Sequence, residues 1–354
     1  MTSALEGREC GAGGLALSAI GLGCWSFGGG DYWGPQDQRD VDEVVQAAVA
    51  EGITYFDTAE VYNEGRSEAS LGLALRGVPR EQVVIGSKIA PGHCYPDAIE
   101  RHCEDSLRRL GTDYLDLYMV HWPIHPHSIR HFTSDPRVIA DPPESAAAFA
   151  ALARLRERGL IRHVGVSNYS ARRMASDIPG HAGVAANQLP YNLLSRGIEF
   201  ETLPACRQRN IGVIGYMTLM QGVLTGKYRD LADVPPWQRR TRHFAASGTP
   251  LCRHGEAGFE RETTAAIDAI GAIARECGLD MAELATRWAL ARDGICCALV
   301  GARNVRQLRA NVAAGQGHLD ASVLARLDAA TEPLKRAMGP HFDYYESIAN
   351  DRTV

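Results

Sequence analysis

Apolar positions along the chain fall into short continuous runs, separated by stretches in which they recur at helical spacing. Residues 15–24 predict a strand that enters a glycine-rich loop over 25–34. Val41, Val44, Val45, Ala48 and Val49 then fall on one face of a helix. The run over 52–57 ends on an acid, Asp57. A second helix is predicted over 67–75 and a strand over 83–87 that ends at Lys88. Residues 96–110 place Ile99, Cys103, Leu107 and Leu110 on one stripe, with Pro96 in the first turn and Gly111 as the stop. The strand over 115–120 ends at His121.

The alternation continues with helices over 143–158, near 172–175, and over 199–209, 260–277, 281–293 and 322–331. Strands are expected over 163–166, 184–189, 212–216 and 298–300. Val305, Leu308 and Val312 mark another helix with Asn304 as its cap. Residues 218–258 have no period and contain Pro235, Pro236, Trp237, Arg239, Arg240 and Arg242; a loop this long inside a domain is expected either to cover a site or to be partly disordered. The tail to Val354 reads as irregular.

About eight strands alternating with helices fit either an open doubly wound sheet or a closed barrel. No Gly-x-Gly-x-x-Gly opens a helix after the first strand, and polar groups end several successive strands instead of gathering at one switch point. The expectation is therefore an α/β fold, a (β/α)8 TIM barrel with extra helices and a long loop after the seventh strand. One domain would span 1–354, with its core over 15–335. Of 354 residues, 45% are hydrophobic and 22% charged, which suits one large core. A net charge of -5 with interspersed Lys and Arg gives no basic stripe, so nucleic acid is not an expected partner. Nine cysteines without Cys-x-x-Cys, no cationic start followed by an apolar run, and no apolar stretch of roughly 20 residues predict a reduced, cytoplasmic protein without a membrane span. A homo-oligomer is compatible with the sequence.

In a barrel, Asp57, Lys88 and His121 would share one mouth with Tyr62, which follows in the loop. A lysine beside a phenol favours the phenolate and lowers its pKa, a carboxylate keeps that lysine charged, and a histidine can orient an oxygen. This is general-acid equipment for a carbonyl becoming an alkoxide, and the missing hydride implies a nicotinamide cofactor. His121, His125, His127 and His131 invite a metal reading, but Pro123 and Pro126 break a helical face and no Asp or Cys stands at ligand spacing nearby, so a solvated loop is expected and no metal. Gly28 to Gly30 read as loop formers. Arg239, Arg240 and Arg242 either solubilise the long loop or clasp a cofactor.

The segments Phe56-Asp-Thr-Ala-Glu-Val-Tyr62, Ile85-Gly-Ser-Lys88, Tyr114 through His121-Trp-Pro, Gly165-Val-Ser-Asn168, Tyr216 through Tyr228, and Val300-Gly-Ala-Arg-Asn-Val-Arg-Gln307 together resemble the aldo-keto reductase superfamily. The Gly222 to Tyr228 stretch resembles the branch of bacterial sugar-type reductases and potassium-channel β subunits. The resemblance implies Tyr62 as proton donor, Lys88 and Asp57 tuning it, and His121 orienting the carbonyl. It implies that Ser167, Asn168 and Gln188 hold the nicotinamide amide and that Tyr216 stacks on its ring. Thr218, Leu219, Gln221, Gly222 and Lys227 would cradle the pyrophosphate, and Gly301, Arg303, Gln307 and Asn311 the adenosine end. Cys24, Trp25 and Asp57 would also border the nucleotide. Trp25, Tyr62, His121 and Trp122 would wall the substrate pocket. NADP(H) is the implied cofactor, with Arg303 and Lys227 suited to a 2′-phosphate. The implied activity interconverts an alcohol and a carbonyl, an aldehyde or ketone such as a sugar; the alternatives are a nucleotide-binding redox-sensing subunit and a metal-dependent barrel hydrolase. Met217-Thr218 departs from the Ser-Pro that relatives often carry there.

Overall fold

A computed structural model describes residues 5–180 and 182–354. The first four residues, and with them the start of the stretch read as having no leader, lie outside the described residues.

Eight parallel strands close into a barrel in chain order: β3 (Ile20–Gly23), β4 (Tyr55–Asp57), β5 (Val84–Ile89), β6 (Leu115–Val120), β7 (Ile161–Ser167), β8 (Val184–Pro190), β9 (Gly212–Tyr216) and β10 (Ile295–Val300), which pairs with β3. Closure leaves no open edge. The run predicted as one strand over 15–24 is two elements. Residues 16–18 form β2 (Ala16–Ser18), which pairs antiparallel with β1 (Gly7–Glu9), and only the residues after Ala19 join the barrel. The Ser18 hydroxyl accepts the Thr54 amide at 3.0 Å and donates to the Ile20 carbonyl at 2.7 Å, which fastens the bend. The hairpin plugs the base: Cys10, Leu15 and Leu17 pack on the inward side chains Leu117, Met119, Ala186, Ile214, Cys297 and Leu299.

The helices are α1 (Gln38–Ala50), α2 (Arg66–Ala74), α3 (Pro96–Leu110), α4 (Pro126–Phe132), α5 (Pro136–Ala140), α6 (Ser145–Glu157), α7 (Ala171–Asp177), α8 (Thr202–Gln208), α9 (Glu260–Cys277), α10 (Met281–Leu290), α11 (Val305–Gly315) and α12 (Ala321–Met338). In α3 the stripe of Ile99, Cys103, Leu107 and Leu110 is buried, and Gly111 ends the helix at φ +65° as its sequence predicts.

Two expectations fail for local reasons. The histidine loop contains α4 and α5: Pro126 and Pro136 sit in first turns, where a missing N–H costs nothing, and the His125 and Asp135 side chains cap them. His125 is therefore buried instead of solvated, and its Nε2 lies 3.0 Å from the Arg352 carbonyl. Helix α12 continues past Pro333 to Met338, because Leu327, Thr331, Leu334 and Met338 extend a buried stripe. The tail beyond it holds only a short 3-10 turn, Ile348–Asn350, yet it packs down: Arg352 forks onto Asp343 at 2.7 and 2.8 Å, and the Ser170 amide donates to the Thr353 carbonyl. Residues 218–258 also fold back, burying Thr241, His243 and Phe244.

Candidate active site

All strand tips meet at one mouth, and there the four expected side chains converge. The Lys88 ammonium, fully buried, donates to Asp57 Oδ2 at 2.7 Å, to the Thr58 carbonyl at 2.8 Å and to the Tyr62 hydroxyl at 3.2 Å. The three N–H donors of an ammonium are thus matched by three acceptors. The His121 ring meets Tyr62 edge to face, with centroids 5.4 Å apart.

Asp57 accepts more than was expected. Its Oδ1 takes the Tyr55 hydroxyl at 3.1 Å and the Gln188 amide at 2.7 Å. Tyr55 was missed because it reads as an apolar strand residue. Strand alternation points Tyr55 and Asp57 into the same side of β4, and that was the available signal. Gly86 makes room for it: a Cβ there would stand 2.5 Å from the Tyr55 hydroxyl oxygen.

The electrostatics differ from the expectation at Tyr62. Burial pushes its phenol well above the ordinary value, and the Asp57 charge adds to this, so the hydroxyl is held protonated. Burial also lowers the Lys88 ammonium from its ordinary value, against the pull of Asp57. His121 is driven well below its ordinary value by burial and then by Lys88, so the ring is neutral, and its Nδ1 is buried without a hydrogen-bond partner among the described residues.

Of the residues expected at a nucleotide, Ser167, Asn168, Gln188 and Tyr216 adjoin this corner. The Asn168 amide donates to the His121 carbonyl and to Ser167 Oγ, its oxygen takes the Tyr216 hydroxyl at 2.8 Å, and Ser167 Oγ donates to the Gln188 carbonyl. Thr218 is buried with its hydroxyl on the Leu299 carbonyl, and Leu219 follows it. Met217, Met220, Gln221 and Gly222 all take left-handed backbone, and the Met220 and Gly222 amides donate back to the Met217 and Leu219 carbonyls, which fixes a tightly turning loop. Gly222 suits that turn because its φ of +94° is a backbone conformation that other side chains rarely adopt, and Lys227 Nζ lies close beside it. After β10, Arg303 N donates to the Gln307 side chain at 2.9 Å, and Asn311 donates to the Gly301 carbonyl at 3.3 Å, beside the α11 amino end capped by Asn304. The Arg303 guanidinium also ties to the Trp33 and Pro35 carbonyls and to Gln36. Cys24 differs from expectation: it is fully enclosed, its thiol against the Leu22 carbonyl and its amide on Asp57.

Trp25 is 36% exposed and stacks on Tyr32 at 5.0 Å, 6.0 Å from the Tyr62 ring. Trp122 lies under the Arg352 guanidinium at 4.0 Å. The tail thus completes the mouth, as does Tyr345, whose hydroxyl accepts the Gln221 amide at 3.0 Å. No periodic signal marked it. Arg240 lies over the Tyr32 ring at 4.6 Å, joining the long loop to the first.

Eight parallel strands with buried Asp57, Lys88 and His121 meeting half-buried Tyr62 beside a tightly turning loop make up a barrel of the oxidoreductase class. The chain belongs to the Aldo/keto reductase family, matched over residues 19–332. It is 34% identical to aldo-keto reductase YhdN of Bacillus subtilis over 311 residues, covering 84% of this chain and 85% of that protein. It is 32% identical to an NADH-specific methylglyoxal reductase of Escherichia coli over 323 residues, covering 85% and 90%. An aldo/keto reductase from Klebsiella pneumoniae in complex with NADP and acetate superposes with a TM-score of 0.67 at 29% identity, over 96% of this chain and 99% of that one. Among the described residues no helix is long and apolar enough to cross a membrane.

Proposed function

We propose that this chain reduces the carbonyl of a small aldehyde or ketone to its alcohol with NADPH, with Tyr62 as proton donor. The observation that carries the reading is the Lys88 ammonium shared between Asp57 and the Tyr62 hydroxyl, at 2.7 and 3.2 Å. The orphaned His121 Nδ1 and the left-handed run through Gly222 beside Lys227 suit a polar, anionic dinucleotide with a reacting oxygen near His121. A bound nicotinamide supplies the hydride. Tyr62, protonated by its burial, gives its hydroxyl proton to the carbonyl oxygen as charge develops there. Lys88 stabilises the phenolate left behind, and Asp57, fixed by Tyr55 and Gln188, holds Lys88 in place. Neutral His121 orients the carbonyl. Trp25, Tyr62, His121 and Trp122 wall a pocket suited to a compact, polar carbonyl such as a sugar or a short oxoaldehyde. Ser167, Asn168, Gln188 and Tyr216 hold the nicotinamide; Thr218, Leu219, Gln221, Gly222 and Lys227 hold the pyrophosphate; Gly301, Arg303, Gln307 and Asn311 hold the adenosine end. A guanidinium has five donors; among the described residues Gln36, Trp33 and Pro35 take three of those on Arg303, and the other two suit a 2′-phosphate.

The test is loss of the near-ultraviolet absorbance of NADPH, and separately of NADH, across a panel of sugars and short aldehydes including methylglyoxal. Tyr62→Phe is expected to lower kcat by roughly 10²–10⁴-fold with nucleotide binding retained. Tight NADPH binding with no turnover on any member of the panel would replace this reading with that of a nucleotide-sensing subunit.

A further inference from the structure

Behind the catalytic corner lies a second buried carboxylate that the proposed reaction does not use. Glu60 sits two residues before Tyr62, with its side chain 5% exposed. Its oxygens take three donors from the neighbouring βα unit: the Ala90 amide at 2.8 Å and His93 Nδ1 at 2.8 Å on Oε1, and His102 Nδ1 at 2.7 Å on Oε2. Burial alone would raise this carboxyl, but the His102 and His93 hydrogen bonds outweigh it and hold it at about 2. An ionised carboxylate has no hydrogen to give, so each Nδ1 carries the proton.

One carboxylate and two imidazoles within 4.8 Å of one another are also a conceivable metal set. The rings argue against it. They stack with centroids 4.2 Å apart and 17° between their planes, so their in-plane lone pairs run side by side instead of converging on one point. Two N–H donors serving one carboxylate fit this arrangement, and an ion does not.

What the cluster does is join two catalytic segments. The Glu60 amide donates to the Lys88 carbonyl at 3.2 Å, while its carboxylate grips Ala90, two residues beyond Lys88. On the other face of the same backbone, the Thr58 amide donates to the Gly86 carbonyl and Lys88 Nζ donates back to the Thr58 carbonyl. The loop that carries Tyr62 and the strand that carries Lys88 are therefore laced together from Thr58 to Glu60. His93, on the turn after β5, and His102, on α3, anchor that lacing to the outer layer.

We propose that Glu60, gripped by His93 and His102, is a positioning residue that sets the Tyr62 hydroxyl against the Lys88 ammonium. This rests on the reading of Tyr62 as proton donor. A displacement of about 1 Å in such a pair can cost about 100-fold in rate.

Glu60→Ala is expected to lower kcat between roughly 10- and 100-fold with KM and the NADPH dissociation constant little changed, and to raise the solvent isotope effect on kcat as proton delivery slows. Glu60→Gln should recover most of the loss: its amide oxygen still accepts Ala90 and His93, and its NH2 meets His102 once that ring moves its proton to Nε2. Amide exchange over residues 58–62 should quicken in Glu60→Ala and return toward wild type in Glu60→Gln. Wild-type kcat in Glu60→Ala, or a loss confined to nucleotide binding, overturns the proposal. If Glu60→Ala does not fold, the His93→Phe/His102→Phe double variant decides it, since unchanged kcat and exchange there are equally fatal. A wild-type protein without turnover refutes the reduction reading, while the exchange measurement still decides this one.

Discussion

Two buried carboxylate–cation pairs flank the mouth, and they are built for different work. Asp57–Lys88 comes from the tips of β4 and β5, Asp343–Arg352 from the tail. Burial lowers the Lys88 ammonium, and its third donor is left to reach Tyr62. Burial opposes the Arg352 charge too, but the two hydrogen bonds it donates to Asp343 outweigh this and raise the guanidinium above its ordinary value. A lysine is a compact point charge on a flexible stem, sensitive to its surroundings, whereas a guanidinium in a bidentate fork is a fixed fastening. The first pair can take part in a proton's movement. The second holds a wall shut.

The largest expected effect separates those roles. Lys88→Met removes the cation that favours the Tyr62 phenolate and should lower kcat by roughly 10²–10⁴-fold. Asp57 keeps Tyr55 and Gln188 as partners, so the stability loss should lie near the lower end of the ~3–5 kcal/mol expected when one member of a buried pair is removed. Denaturant unfolding and steady-state kinetics on the same preparation measure both. A variant that loses stability but keeps its turnover would erase the distinction between the pairs.

Arg352→Met reverses the pattern. It strands Asp343 inside the tail and strips the cation from over Trp122, at a cost of roughly 3 kcal/mol in holding the tail down. KM for the carbonyl should rise while kcat changes by less than about 10-fold, a split expected when binding is lost more than transition-state contact. Adding Asp343→Leu should recover part of the stability, because replacing both charges leaves none unpaired. A kcat loss as deep as that of Lys88→Met would place Arg352 in the chemistry.

The same contrast decides what could be read from the sequence. Asp57, Lys88 and His121 were legible because each ends an apolar run, and a parallel barrel sends every such end to one mouth. The corner was thus visible before any coordinate. Tyr55 was hidden by counting as an apolar residue within its strand. The tail was hidden for another reason: its burial is achieved by polar contacts between near neighbours, Asp343 with Arg352 and Asp351 with Thr353 and His341, which leave no period. The basal hairpin escaped because Ser18 is the single polar side chain in residues 15–24, set between apolar neighbours, so composition does not mark where one strand ends and the next begins.

The smallest effect expected is a difference in how the two regions meet acid. His243, wholly buried in the long loop, lies 2.8 Å from the Leu194 carbonyl through Nε2, and burial, partly offset by that bond, lowers it to about 4. A lowered histidine is neutral in the fold while the unfolded chain takes up its proton near 6.5. The stability it permits is therefore whole above that pH and falls away as pH drops toward 4, by up to roughly 3 kcal/mol. Glu60, lowered to about 2, behaves otherwise: its contribution is whole above the ordinary carboxylate value of 4.5 and falls away progressively from there until pH drops through about 2. Between pH 6.5 and 4.5 the loop around His243 should loosen while the corner around Glu60 and Lys88 holds. Amide exchange should quicken over 239–245 before it does over 57–62, and His243→Gln, which cannot titrate, should flatten the first change and leave the second. Equal acceleration in both segments, or no effect of His243→Gln, would mean that wall and corner open as one unit.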